Sequence, residues 1–253
     1  MFKPLSAAIL SLPLLWVLPM HAQEADLTLD QIIQKQIAAQ GGAAKMKAIT
    51  TVKASGNASL MGGQIEAPVT MTMKRPNLVR MELNVQGQSF VQAFDGTTAW
   101  MVNPFMGSPD PTKSSDEDTA QAKEDNDFID GPLFNHEAKG NKLELLGKED
   151  VDGTPSYKIK ITKPSGNVSY EYLDAKSFLP IRSTGKRKQM GQELDIETTP
   201  GNYKAVEGVM MPFSIEQKNA GQTVIQFTIT KYEVNVPVDD KIFAMPDKPK
   251  ADK

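Results

Sequence analysis

Met73 to Phe105 reads MKRPNLVRMELNVQGQSFVQAFDGTTAWMVNPF, and its alternation decides the fold class. Lys74-Arg75-Pro76 closes one strand, because proline fixes φ and donates no ladder hydrogen bond, and Asn77 beside it is a common turn residue. Leu78 to Val85 then alternates apolar and polar side chains, the period-2 mark of a sheet with one dry face and one wet face. Gln86-Gly87-Gln88 turns the chain, Ser89 to Phe94 is the next strand, and Asp95-Gly96 signals a hairpin into Thr97 to Val102. Three consecutive antiparallel strands are expected here.

The pattern extends in both directions. Upstream, Val52 to Leu60 and Gln64 to Met73 flank the turn Met61-Gly62-Gly63. Downstream, strands are expected over Lys142 to Asp150, Ser156 to Lys163, Val168 to Asp174, Pro180 to Lys188, Gln192 to Tyr203, Met210 to Lys218 and Thr223 to Val234, separated by turn chemistry such as Asp152-Gly153 and Glu207-Gly208. Roughly eleven strands with hairpin-length links imply one antiparallel sheet, which at that size must curl or close. Ahead of it, Thr28-Leu29-Asp30-Gln31 has the form of a capping box, and Leu29, Ile32, Ile33, Gln36 and Ile37 follow helical spacing up to Gly41-Gly42. This helix packs on the sheet or lies over a cavity as a lid; Ala43 to Ala48 adds a short turn. Residues 106–127 interrupt the strands with Pro, Ser and acids and are expected to be a long mobile loop, solvated or lid-like, with a helical turn near Asp118 to Lys123. Phe128 to Phe134 is an apolar patch that reseats the chain on the sheet, and the tail Asp247 to Lys253 is expected to fray.

The N-terminus points to export. Lys3, the apolar run Leu5 to Met20 and Ala22 form a signal-peptide pattern over residues 1–22, leaving residues 23–253 as one domain. With no cysteine, the mature chain carries no disulfide and no lipid on an N-terminal Cys. The formal net charge of −3 becomes −4 once Lys3 is removed, so there is no basic field for nucleic acid.

Catalytic chemistry lacks its usual parts. His136 is the single histidine beyond residue 22, and no GxSxG, Walker or GxGxxG motif occurs. Asp125-Asn126-Asp127 lacks the glycine and the bidentate Glu of an EF-hand, so no metal and no cofactor are assigned. Paired carboxylates brought together from distant positions stay open as a hydrolase alternative. What the composition does offer is thirteen Met and ten Phe. Met71, Met73, Met81, Met101, Met210 and Met211 sit on expected strands, and flexible, polarizable methionine suits a surface that accepts variable acyl chains as well as it suits an ordinary core.

Lys74-Arg75-Pro76-Asn77-Leu78, the hairpin Phe94-Asp95-Gly96-Thr97-Thr98-Ala99-Trp100 and Asn103-Pro104-Phe105 together resemble periplasmic lipoprotein-carrier proteins of the LolA type. Asn235 to Pro246 is similar to the closing segment of the broader outer-membrane lipoprotein-sorting group. The resemblance implies an unclosed antiparallel β-barrel of about eleven strands, mainly β with helices lidding an apolar cavity that holds acyl chains of lipoproteins or lipids. It implies a non-enzymatic periplasmic carrier, served by an inner-membrane release complex and an outer-membrane acceptor. A sensor or assembly scaffold that binds lipidated partners without transferring them is the alternative. It gives Arg75 the role of holding the lid through backbone hydrogen bonds. Val79, Leu83, Phe90, Phe94, Trp100 and Phe105 join the six methionines as candidate lining residues. Val79 and Met81 stand where the carriers have Trp or Phe, and the 106–127 insertion is longer than theirs, so the cargo is expected to differ.

Overall fold

Thr28 caps α1 (Leu29–Ala39) as its spacing to Gln31 predicts: its Oγ1 accepts from the Gln31 N–H at 3.3 Å, and Gln31 Oε1 accepts from the Thr28 N–H at 3.0 Å. The helix stops at Gly41, whose φ is 123° and where a Cβ would stand 2.3 Å from the Gly208 carbonyl oxygen. Only glycine lets the backbone pass that close. α2 (Ala43–Ala48) follows, burying Met46. These elements belong to a computed structural model that describes residues 27–106, 108–125, 127–189 and 192–247. The signal segment expected over residues 1–22, the Gly191 turn and residues 248–253 of the tail lie outside the described residues.

Among the described residues there are three α-helices and one antiparallel sheet of thirteen strands, in place of the eleven expected. β1 (Thr51–Leu60), β2 (Ile65–Lys74), β3 (Leu78–Val85), β4 (Gln88–Phe94), β5 (Ala99–Asn103) and β6 (Ser108–Lys113) form a first meander. α3 (Asp116–Asp125) and a turn-rich segment lead to the second: β7 (Lys142–Val151), β8 (Thr154–Thr162), β9 (Val168–Asp174), β10 (Pro180–Gln189), β11 (Gln192–Val206), β12 (Val209–Asn219) and β13 (Gln222–Val234). The order across the sheet is β6-β5-β4-β3-β2-β1-β13-β12-β11-β10-β9-β8-β7. β13 pairs with β1, so the two meanders join at mid-sheet, and β6 and β7 remain as unpaired edges of an unclosed sheet.

The 106–127 stretch thus holds a strand and a three-turn helix, more structure than its composition suggests. β6 contains Pro109 and Pro111, which a central strand would reject; at an edge, bonded on one side to β5, they are tolerated. The Asp95-Gly96 turn takes four residues, because Asp95 Oδ1 accepts from the N–H groups of Thr97 and Thr98 at 2.9 and 2.7 Å and delays β5 to Ala99.

Cross-strand partners share a face of the sheet, so register places every side chain. Ala54, Met71 and Met81 are successive partners and point inward, as do Ala58, Phe227 and Ile215. The helices cover only one half of this inner face. Ile32 of α1 is fully buried with Leu133, Ile159, Ile161 and Leu173, and Met46 of α2 with Val52, Phe134, Val209 and Met211. The other half, over β2 to β5, has no such cover. The outer face there is crossed by the C-terminal segment, whose buried Phe243 carbonyl accepts from Trp100 Nε1 at 2.7 Å.

Candidate functional site

Where α1 and α2 stop, a cavity of about 1130 Å³ opens between the inner face of β2 to β5, the ends of β1, β12 and β13, α3 and Phe128. Met71, Met73, Val79, Met81, Leu83, Phe90, Phe94 and Met101 line it, and Phe105, 54% exposed, stands at its rim. Alternation along amphipathic strands brings these side chains to one face, so they converge without any local motif.

Two expected lining residues, Met210 and Met211, are elsewhere. Trp100 borders the cavity, while its indole packs on the outer face with Val91, Ala93, Val102 and Met245. Trp100 pairs with Ala93 and Met101 with Gln92, and neighbours on a strand point to opposite faces, so the inward place belongs to Met101. Met211 is buried in the cluster beneath α2, and Met210, the residue before it, projects to the opposite face. No residue of α1 or α2 lines the cavity; the helix beside it is α3, through Asp118, Gln121, Ala122 and Asp125. The reason is polarity. The apolar stripe of α1 must be buried against β8 and β9, whereas α3 buries no residue and can lie over a mouth.

Arg75 ties three segments together at the cavity wall. Its Nε donates to the Ile49 carbonyl at 2.7 Å and one terminal nitrogen to the Met46 carbonyl at 2.8 Å, an oxygen at the end of α2 that also accepts from the Ile49 N–H at 3.3 Å. The same fork grips both carboxylate oxygens of Asp130 at 2.6 and 2.8 Å. Its Cζ lies 4.5 Å from the centre of the Phe128 ring, and Phe128 lines the cavity.

α3 is held by polar contacts at both ends. At its start Ser115 Oγ accepts from the Asp118 N–H at 3.0 Å, Ser114 N–H donates to the Ala99 carbonyl at 2.9 Å, and Thr119 Oγ1 accepts from the Ala99 N–H at 3.4 Å. At its end Asp125 meets two cations: Lys163, just past β8, at 2.5 Å and Arg187 of β10 at 2.8 Å. Glu124 accepts from Ser165 Oγ at 2.6 Å and from its N–H at 3.0 Å. The helix therefore reaches from β5 to the β8–β9 turn and β10. Burial would raise the Asp125 carboxyl, but Lys163 and Arg187 outweigh it and hold the group below the ordinary carboxylate value.

A second acid is held the other way. Glu171 on β9 is 8% exposed and shares the inner face with Ile159 and Ser183, its register partners. Burial first, and the charge of Asp127 second, push its carboxyl up to about 8, which favours the protonated, neutral form at pH 7.

Asp125, Asp130, Lys163, Glu171 and Arg187 escape a reading of the sequence, because Arg75 and Asp130 are 55 positions apart and Asp125 and Arg187 are 62 apart. The one local sign is Asp130 itself, a lone acid inside the apolar patch Phe128 to Phe134.

No protein-family model matches the chain, and no curated protein matches its sequence. Solved structures are similar to it. A LolA superfamily protein from Nitrosomonas europaea superposes with a TM-score of 0.56 at 14% identity, over 87% of this chain and 98% of that one. A putative outer membrane lipoprotein-sorting protein domain from Vibrio parahaemolyticus gives 0.53 at 14% identity, over 84% and 94%. A DUF1329 family protein from Desulfovibrio piger gives 0.54 at 10% identity, over 85% and 96%. Such low identities speak to architecture, not activity. The chain has a LolA-like fold: one large, unclosed antiparallel sheet with few helices.

Proposed function

We propose that this chain is a periplasmic binding protein that shields the acyl chains of a lipoprotein or lipid on its way to the outer membrane. The observation that carries this reading is the cavity of about 1130 Å³, walled by methionine, phenylalanine and branched aliphatic side chains on one face of the sheet. Burial from water is worth about 0.8 kcal/mol per methylene, so a chain of about fifteen carbons gains on the order of 10 kcal/mol without any catalytic step. Methionine adapts its shape to chains of different length and unsaturation. No cofactor is needed, and no enzymatic role is assigned. Arg75 keeps α2 and the Phe128 turn in place around the cavity, and an inner-membrane release complex and an outer-membrane acceptor would load and unload it.

The test is native mass spectrometry of protein purified from the periplasm, followed by titration of the delipidated protein with a fluorescent fatty acid. Co-bound lipid and saturable binding are expected, and Met81→Arg, a charge in the cavity wall, should abolish both. Absence of lipid together with no saturable binding would remove the proposal. Transport itself is read by lipoprotein transfer between membranes, which Arg75→Leu should impair.

A further inference from the structure

We propose that Lys163 and Arg187 form a headgroup site for an anionic amphiphile, and that Asp125 is the internal group which its headgroup displaces. This rests on the reading that the cavity takes acyl chains. Two cations from separate parts of the sheet converge on one carboxylate, each on its own oxygen, at 2.5 and 2.8 Å. That is the coordination a fatty-acid carboxylate or a phosphate monoester accepts, and a guanidinium suits either. Asp125 and Arg187 both line the cavity, so the polar site continues directly into the apolar wall.

The two sides of this contact differ in how firmly they are held. Arg187 is on β10, bonded to β11, and Lys163 follows β8 at a turn closed by hydrogen bonds between Lys163, Gly166 and Asn167. Asp125 is carried by α3, which buries no residue and is held by polar contacts. The carboxylate can leave; the cations stay. With α3 in place the Lys163 side chain is 12% exposed, and its Nζ donates to the Asp125 carboxylate and, at 3.1 Å, to the Glu124 carbonyl, so a departure of α3 with no anion in its place would cost Lys163 both acceptors. An incoming anion removes that cost, which makes opening of α3 conditional on the headgroup.

Headgroup chemistry is also where selection must come from. Transfer of an acyl chain from bilayer to cavity changes little, since lipid tails are as apolar as the methionine and leucine side chains of the wall. The ionic contact is what an uncharged amphiphile lacks.

The experiment is isothermal titration of the delipidated full-length mature protein, below the micellar range, with dodecanoate, dodecyl phosphate, monododecanoylglycerol and inorganic phosphate. Either anionic amphiphile, or both, should bind at least about tenfold tighter than the glyceride, and which of them does identifies the headgroup as carboxylate or phosphate. Arg187→Gln should remove that preference, and Lys163→Gln should reduce it. Asp125→Asn should raise affinity for the anions alone. Circular dichroism identifies any variant that has not folded, and the wild-type probe series and the remaining variants still decide the matter. Equal binding of the three amphiphiles, or a preference that survives Arg187→Gln, overturns the headgroup site alone. Inorganic phosphate binding as tightly as dodecyl phosphate overturns it too, since the chain would then be irrelevant. Failure of every amphiphile, the glyceride included, overturns the cavity reading with it.

Discussion

Arg75 illustrates how one side chain holds several backbones. Four of the five N–H donors of its guanidinium are used, on Ile49, Met46 and the two oxygens of Asp130. Asp130 keeps a side-chain exposure of 10%, so its ion pair is shielded from solvent. Arg75→Leu is expected to cost about 3–5 kcal/mol in urea unfolding, because a buried carboxylate loses its partner. Adding Asp130→Asn should recover part of that loss; a double-mutant cycle with no coupling would show the pair to be dispensable. Glu171 is the opposite case, a buried acid that folding keeps protonated. Its raised carboxyl means that the unfolded chain ionises first, above about pH 4.5, so stability is greatest below that value and declines as pH rises through about 8. Glu171→Gln should match the wild type near pH 4 and exceed it at pH 8 by up to a few kcal/mol, read from thermal melts across that range. Parallel curves would contradict the assignment. Alternation by itself makes Met71, Met81 and Leu83 legible as one apolar face. It also excludes Trp100 and Met101 from sharing a face, but which of the two turns inward depends on register with β4.

At the level of elements, α1 and α3 are both helices over the inner face and are held by different forces. α1 was legible from its capping box and its apolar stripe, and Ile32 and Ile33 are buried as that stripe requires. α3 has no stripe, and its polar composition resembles that of a loop because the contacts that hold it are ionic and distant in sequence. Its amides should exchange with deuterium through local opening well below the global unfolding energy, and Asp125→Asn should accelerate them without affecting β1 and β2. The depressed Asp125 carboxyl makes its contribution present above the ordinary carboxylate value and lost only as pH falls through its lower folded value. After correction for intrinsic rates, protection of α3 should therefore be constant between pH 5 and 8. Loss of protection at pH 5, or exchange in step with β1 and β2, would contradict this account. β6 shows the same limit on reading elements alone: its prolines forbid a central strand, and only its place beside β5 at the sheet edge permits it.

Across the whole molecule, the thirteen strands divide into two meanders joined where β13 pairs with β1. α1 and α2 fill the inner face mainly over the second meander, and the inner face of the first is left to form the cavity, with α3 beside it. The apolar pattern of both halves is similar in sequence, so nothing in the pattern says which half is covered. What the amino-acid sequence determined by itself is everything set by neighbours two to four positions apart: the strands, most of the turns, the cap of α1 and the apolar side of each strand. The tertiary structure alone decided which apolar side chains meet a helix and which meet open space, and it alone brought Asp125 to Lys163 and Arg187 and Asp130 to Arg75. The physical reason is that alternation and capping act through adjacent backbone, whereas ion pairs and cavities exist only once the curl of the sheet brings distant strands and loops within a few ångströms.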